Sequence, residues 1–290
     1  MTQEAKSILH NSLAGTWYPA SRTILESEIE GYLNHVPESD PTDVCALILP
    51  HAGYRYSGQT AAYGVKQVAG KDYSRVIVMG PSHRVQMKNK VSVPRAAYYE
   101  TPLGLAALDV EFIERLAECE AVIHHPSVHE VEHSVQIEVP FLQTVLRETP
   151  LVPIVVGQFD EAATERMAEI LLRLIDDRTL IVASSDFTHY GASFGYLPFH
   201  SDIEENIRML DLGAYTMIEE KDCRGFMKYC DETGATICGR DAIGILLSML
   251  GPESEAHRLS YQTSGNLTGE WDHSVSYLSV AFTGNWSLPG

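Results

Sequence analysis

The stretch Leu47-Ile-Leu-Pro-His-Ala-Gly-Tyr54, LILPHAGY, joins an aliphatic run to a turn that carries an ionisable ring. The apolar run reads as a buried strand. Pro50 ends it, since proline cannot donate to a ladder, and Gly53 permits a turn. His51 therefore sits at the carboxyl end of a very hydrophobic strand. Two more runs end in the same way. Val76–Met79 leads through GPSH to His83, and Leu180–Ala183 leads through SSDFTH to Asp186 and His189.

Working outward, strand-like runs recur at Cys45–Leu49, Val76–Met79, Val91–Val93, Leu151–Val156, Leu180–Ala183 and Val275–Phe282. Amphipathic, helix-like stretches lie among them, at Ser21–Asn34, Thr60–Ala69, Val110–Cys119, His133–Leu146, Glu161–Ile175, Ile203–Met217 and Arg240–Leu250. Strands alternating with helices predict an α/β sandwich with a mixed, largely parallel central sheet flanked by helices. No repeat, low-complexity tract or linker divides the chain, so residues 1–290 are expected to form a single domain. In such sheets ligands gather outside the carboxyl ends of the strands. Three parallel strands that each end in an ionisable residue would converge on one rim.

Composition removes several classes of function. The 290 residues carry 39 acidic and 21 basic side chains, a net charge of −18, with no basic run. A nucleic-acid surface or a membrane-surface patch needs clustered Lys and Arg, so neither partner is expected. No segment approaches the roughly 18 apolar residues of a spanning helix. The opening MTQEAKSILHNSLAG lacks the basic start and apolar core of a secretory signal. Five scattered cysteines without a CxxC pair do not build a disulfide scaffold. A cytoplasmic, reducing location is the expectation.

Each candidate group has two readings. A strand-end histidine such as His51 or His83 is either a metal ligand or an ordinary hydrogen-bonded residue. Cys238, in ATICGRDAIGILL, precedes a helix start, where the dipole favours a thiolate; it is otherwise a small residue packed under that helix. Asp186 and His189 are close enough to share one cavity, His189 as a proton carrier, or are a turn cap and a neighbouring ring. His129-Glu130-Val131-Glu132-His133 spells HExxH, whose two histidines bind zinc when they share a helix face. Pro126 argues against one continuous helix here.

The ordered set AGTWYP, PHAGYRYSG, GPSH, ETPLG, EHSVQIEVPFL, VPIVVG, SSDFTHYG and TICGRDAIG resembles the Memo family. That family is also described as protein B of the AmmeMemoRadiSam system, and the likeness runs from about Gly15 to Gly284. The resemblance implies a fold similar to that of class III extradiol dioxygenases. It implies His51, His83 and Cys238 as metal ligands, with Asp186 and His189 as catalytic residues of the same pocket. His189 stands where the dioxygenases keep an acid/base histidine. It further implies Glu132 and His133 as supports behind the ligands, so HExxH becomes a coincidence, and Trp17 and Tyr54 as the pocket mouth. Where relatives often continue TICGR with His, this chain has Asp241.

A thiolate in place of a carboxylate makes the ligand set softer than the usual two-His-one-carboxylate iron site. Fe(II) or Cu is the expected ion, with Zn behind them. The resemblance therefore implies a metal-dependent redox protein, dioxygenase-like on an unidentified substrate. The alternative is a non-catalytic adaptor that binds a metal or peptide. Expected partners are a small molecule or peptide, and through the family name a radical SAM enzyme and an AMMECR1-like protein.

Overall fold

The computed structural model describes residues 7–37 and 43–287. Its main sheet holds nine strands among the described residues. Val44–Leu49, Thr179–Ser184, Arg75–Pro81 and Leu151–Val156 lie side by side and parallel. Every residue of Val44–Leu49, Leu151–Val156 and Thr179–Ser184 is buried, as expected for strands covered on both faces. On each side the strand that joins these four is antiparallel to its neighbour. His273–Thr283 runs against Val44–Leu49 and also pairs with Glu255–Thr263 and His189–Gly191. On the far side Val91–Ser92 opposes Leu151–Val156 and leads to Val122–Ile123. The expected mixed α/β sandwich is thus the observed one, with four parallel strands at its centre and one more parallel pair, Val91–Ser92 with Val122–Ile123, at its edge.

Pro153 lies inside one of the central strands, an unusual place for a residue with no N–H. The outer neighbour, Val91–Ser92, pairs only with Val155 and Val156, while Val78 on the inner neighbour is opposite Pro153. The ladder on the outer edge is thereby missing where proline would have interrupted it.

Two helical readings change. The helix expected over Thr60–Ala69 spans Tyr54–Lys66 and begins directly after Gly53. Its glycines allow the close approach that makes this possible. A Cβ on Gly64 would lie 2.5 Å from the Leu49 side chain, and one on Gly58 would lie 2.7 Å from the Tyr32 ring. The helix expected over His133–Leu146 is broken into His133–Gln136 and Val139–Leu146, with Pro140 in the first turn of the second piece. Glu132 is extended between Pro126–Val131 and His133–Gln136. His129 and His133 therefore do not share a helix, and the HExxH string cannot form a zinc-binding pair. His129 is instead buried, with Nε2 3.1 Å from the Ser92 hydroxyl.

No helix among the described residues is long and apolar enough to cross a membrane. The strand Glu255–Thr263 and the small sheet of Ile8–Leu9, Tyr98–Thr101 and Gly104–Ala107 were not expected from the sequence.

Burial lowers His129 from its ordinary 6.5 to about 4. The unfolded chain therefore takes up this proton first, and the contribution to stability is full above about pH 6.5 and lost as pH falls toward 4. A displacement of this size corresponds to roughly 3 kcal/mol. Urea midpoints measured between pH 7 and pH 4 should fall less steeply for His129→Gln than for the unaltered chain.

Candidate metal centre

The central strands end almost level, with Leu49 opposite Ser184 and Met79 opposite Ala183. The next residues of each chain segment must therefore meet at one rim. His51 leaves the first strand, Ser185 and Asp186 the middle one, and Ser82 and His83 the third. The Asp186 carboxylate accepts the His51 backbone N–H at 2.8 Å, tying the first turn to the second.

Cys238 arrives from a distant part of the chain, just before the helix Arg240–Met249. Its turn is fixed by Gly239, whose N–H donates to Ser185 Oγ at 2.9 Å. The contact is so close that a Cβ on Gly239 would lie 2.5 Å from Ser185 Cβ and 2.6 Å from the Ser184 carbonyl oxygen. Cys238 Sγ thereby comes within 3.1 Å of His51 Nε2. His51, His83 and Cys238 each offer a donor atom, and all three lie within 4.8 Å of one another.

Hydrogen bonds behind the rings decide which nitrogen faces the cavity. Glu132 is 1% exposed and its pKa is lowered: burial opposes ionisation, but the hydrogen bond and charge of His83 outweigh it. One of its oxygens accepts the His83 backbone N–H at 2.6 Å, and the other lies 2.7 Å from His83 Nδ1 and 3.2 Å from His133 Nδ1. A carboxylate can only accept, so the His83 ring carries its hydrogen on Nδ1 and presents Nε2 outward. His51 Nδ1 likewise faces Ser184 Oγ at 3.0 Å, and His189 Nδ1 donates to the Thr236 carbonyl at 2.9 Å. The Nε2 lone pairs of His83 and His189 are left for the cavity, while His51 Nε2 already meets Cys238 Sγ.

Desolvation keeps most of these groups uncharged. It is the largest cause of the lowered pKa of His51, of His133 at about 4, and of His189. It also raises Asp186 to about 7 and pushes the Cys238 thiol up. The donor set suits a transition metal: two imidazoles and a thiol that a cation would convert to thiolate. The same neutrality makes the resting pocket tolerable inside the protein.

The cavity over this rim has a volume of about 530 Å³. Trp17 lines it and packs on His133, tilted by 30° at 4.5 Å between ring centres. His189 and Asp186 line it as well. Tyr54, expected at the mouth, is elsewhere. It starts the helix, is 2% exposed, donates its hydroxyl to the Ile137 carbonyl at 3.0 Å and packs against Tyr18 and Phe141. Tyr56 reaches the cavity instead, because two steps along a helix turn a side chain to another face. Phe194 and His273, stacked at 4.5 Å, complete the outer wall and carried no signal in the sequence.

An α/β sheet whose rim brings together two imidazoles and a thiol defines a class, proteins with a donor set that could hold a metal at a sheet rim. Comparison with known sequences narrows the class. Residues 10–281 match the family of Memo-like proteins, and the chain belongs to it. It is 34% identical to a Caenorhabditis elegans memo-1 homolog, over 92% of this chain and 80% of that protein. It is 32% identical to human MEMO1, over 94% and 96%. A MEMO1 family protein of the archaeon Thermoplasma volcanium is 31% identical over 93% and 96%. Among solved structures, an uncharacterized Escherichia coli K12 protein superposes with a TM-score of 0.53 at 16% identity, covering 83% of this chain and 100% of that one, which speaks to the fold alone.

Gly239→Ala should displace the Cys238 turn, because the added carbon meets backbone and Ser185 rather than a flexible side-chain end. A loss of about 2–3 kcal/mol of stability is expected from such overpacking. The paired observation is weaker Co(II) uptake, followed by the thiolate charge-transfer band.

Proposed function

We propose that this Memo-family chain is a metal-dependent redox protein that binds iron or copper through His51, His83 and Cys238 and acts on a small molecule in the adjoining cavity, in the manner of the dioxygenases its motifs resemble. The observation that carries this reading is the meeting of His51, His83 and Cys238 donor atoms beside a neutral His189. Bound iron or copper supplies Lewis-acid and one-electron chemistry.

The chain's own residues would do the rest. His189, with its hydrogen held on Nδ1 by Thr236, offers Nε2 as a base for a substrate hydroxyl. Thr236 Oγ1 also accepts the His189 backbone N–H at 2.8 Å, so ring and backbone are both fixed. Asp186 holds the His51 turn. Buried Asp211 accepts the Thr188 N–H at 3.1 Å and the Tyr261 hydroxyl at 2.7 Å, which steadies the segment between Asp186 and His189. Trp17, Tyr56 and Phe194 give the cavity flat aromatic walls that suit a planar substrate and exclude water.

Protein purified without chelators should carry iron or copper, and Cys238→Ser should lower its occupancy about tenfold or more. In iron-loaded protein, O2 consumption across a panel of small phenols should fall on the order of a hundredfold in His189→Ala, with metal content unchanged. Full metal occupancy in Cys238→Ser would reject the ligand set. Binding without turnover in the unaltered chain would favour an adaptor instead.

A further inference from the structure

The buried carboxyl of Glu138 has no part in the reading above, yet it stands one hydroxyl away from His51. Ser184 Oγ has three polar neighbours: His51 Nδ1 at 3.0 Å, the Ser134 carbonyl oxygen at 2.6 Å and Glu138 Oε1 at 2.9 Å. All three side chains are at most 1% exposed. A hydroxyl brings one hydrogen and accepts others. His51 uses Nε2 toward Cys238, so its Nδ1 carries hydrogen and donates to Ser184. The Ser134 carbonyl can only accept, and at 2.6 Å it takes the one Ser184 hydrogen. Nothing is left to donate between Ser184 and Glu138 unless Glu138 brings a hydrogen of its own.

We propose that Glu138 is the proton store of this centre: a carboxylic acid kept protonated behind Ser184, which gives up its proton when a divalent cation binds to His51, His83 and Cys238. The proposal rests on the metal-centre reading and assigns Glu138 a positioning role, since it acts through Ser184 and His51. Its surroundings agree. Burial, helped by nearby Asp186, raises Glu138 to about 8 against the lowering effect of the Ser184 hydrogen bond. Tyr54, the other titratable group beside it, is a phenol held by Ile137 and brings no positive charge. No Lys or Arg is among the groups that shift it.

A dication held by a thiolate adds positive charge where there was none, and a buried acid one hydroxyl behind a ligand is the group best placed to answer it. The balance is simple. Cation, Cys238 thiol and Glu138 carboxylic acid become the bound cation, a thiolate, a carboxylate and two protons released to the buffer.

Calorimetric titration of the metal-free protein with Zn(II) at pH 7, repeated in buffers of different ionisation enthalpy, counts those protons directly. The unaltered chain should release about two per Zn(II), and Glu138→Gln about one fewer at comparable affinity. Should the Gln variant fail to fold, Glu138→Met, similar in size and without a titratable group, supplies the same count. Saturable Zn(II) binding with equal proton release in the unaltered chain and in the variant would overturn the role of Glu138. An unaltered chain that shows no saturable binding would remove the metal centre and this role together.

Discussion

Three parallel strands that stop at nearly the same level set the terms for everything else in this molecule. With Leu49 opposite Ser184 and Met79 opposite Ala183, whatever follows each strand is forced to the same rim. The ladder hydrogen bonds and the all-buried strand residues hold that register, because a slip of one residue would turn every side chain to the other face. The turn residues then need only point their side chains over the edge. His51, Asp186 and His83 do so, and Cys238 is brought in by the snug fit of Gly239 over Ser184 and Ser185.

Around that rim the protein avoids charge. Burial lowers His51, His133 and His189 and raises Asp186, which favours their neutral forms. Glu132 is the exception, and its anion is stabilised by N–H donors from His83 and Ser134. This is a pocket short of positive charge but rich in lone pairs, the condition under which a soft cation gains most from entering.

Much of this could be read from residues 47–54, 76–83 and 180–189, because a continuous aliphatic run followed by proline, glycine or serine marks both the strand and its exit. What escaped reading is also physical. Tyr54-Arg-Tyr-Ser-Gly-Gln looks like a loop by propensity, yet it is helical because its glycines let it pack on Tyr32 and Leu49. The family resemblance put Tyr54 at the mouth, whereas the helix turns Tyr56 to the cavity. Glu138 reads as one polar residue within an apolar run, and only the sheet shows it facing Ser184. Phe194 and His273 come together across the sheet's antiparallel flank, a long-range meeting that no local pattern announces.

His51 and Cys238 are 187 residues apart, and the contact between them spans most of the chain. On a ribosome the two imidazoles emerge early while the sulfur is still unmade. Nascent chains can thus hold no complete ligand set until the C-terminal part has left the exit tunnel and added the flanking strand His273–Thr283 to the sheet. Any ion that these three residues hold would thus be taken up only once most of the chain has been made.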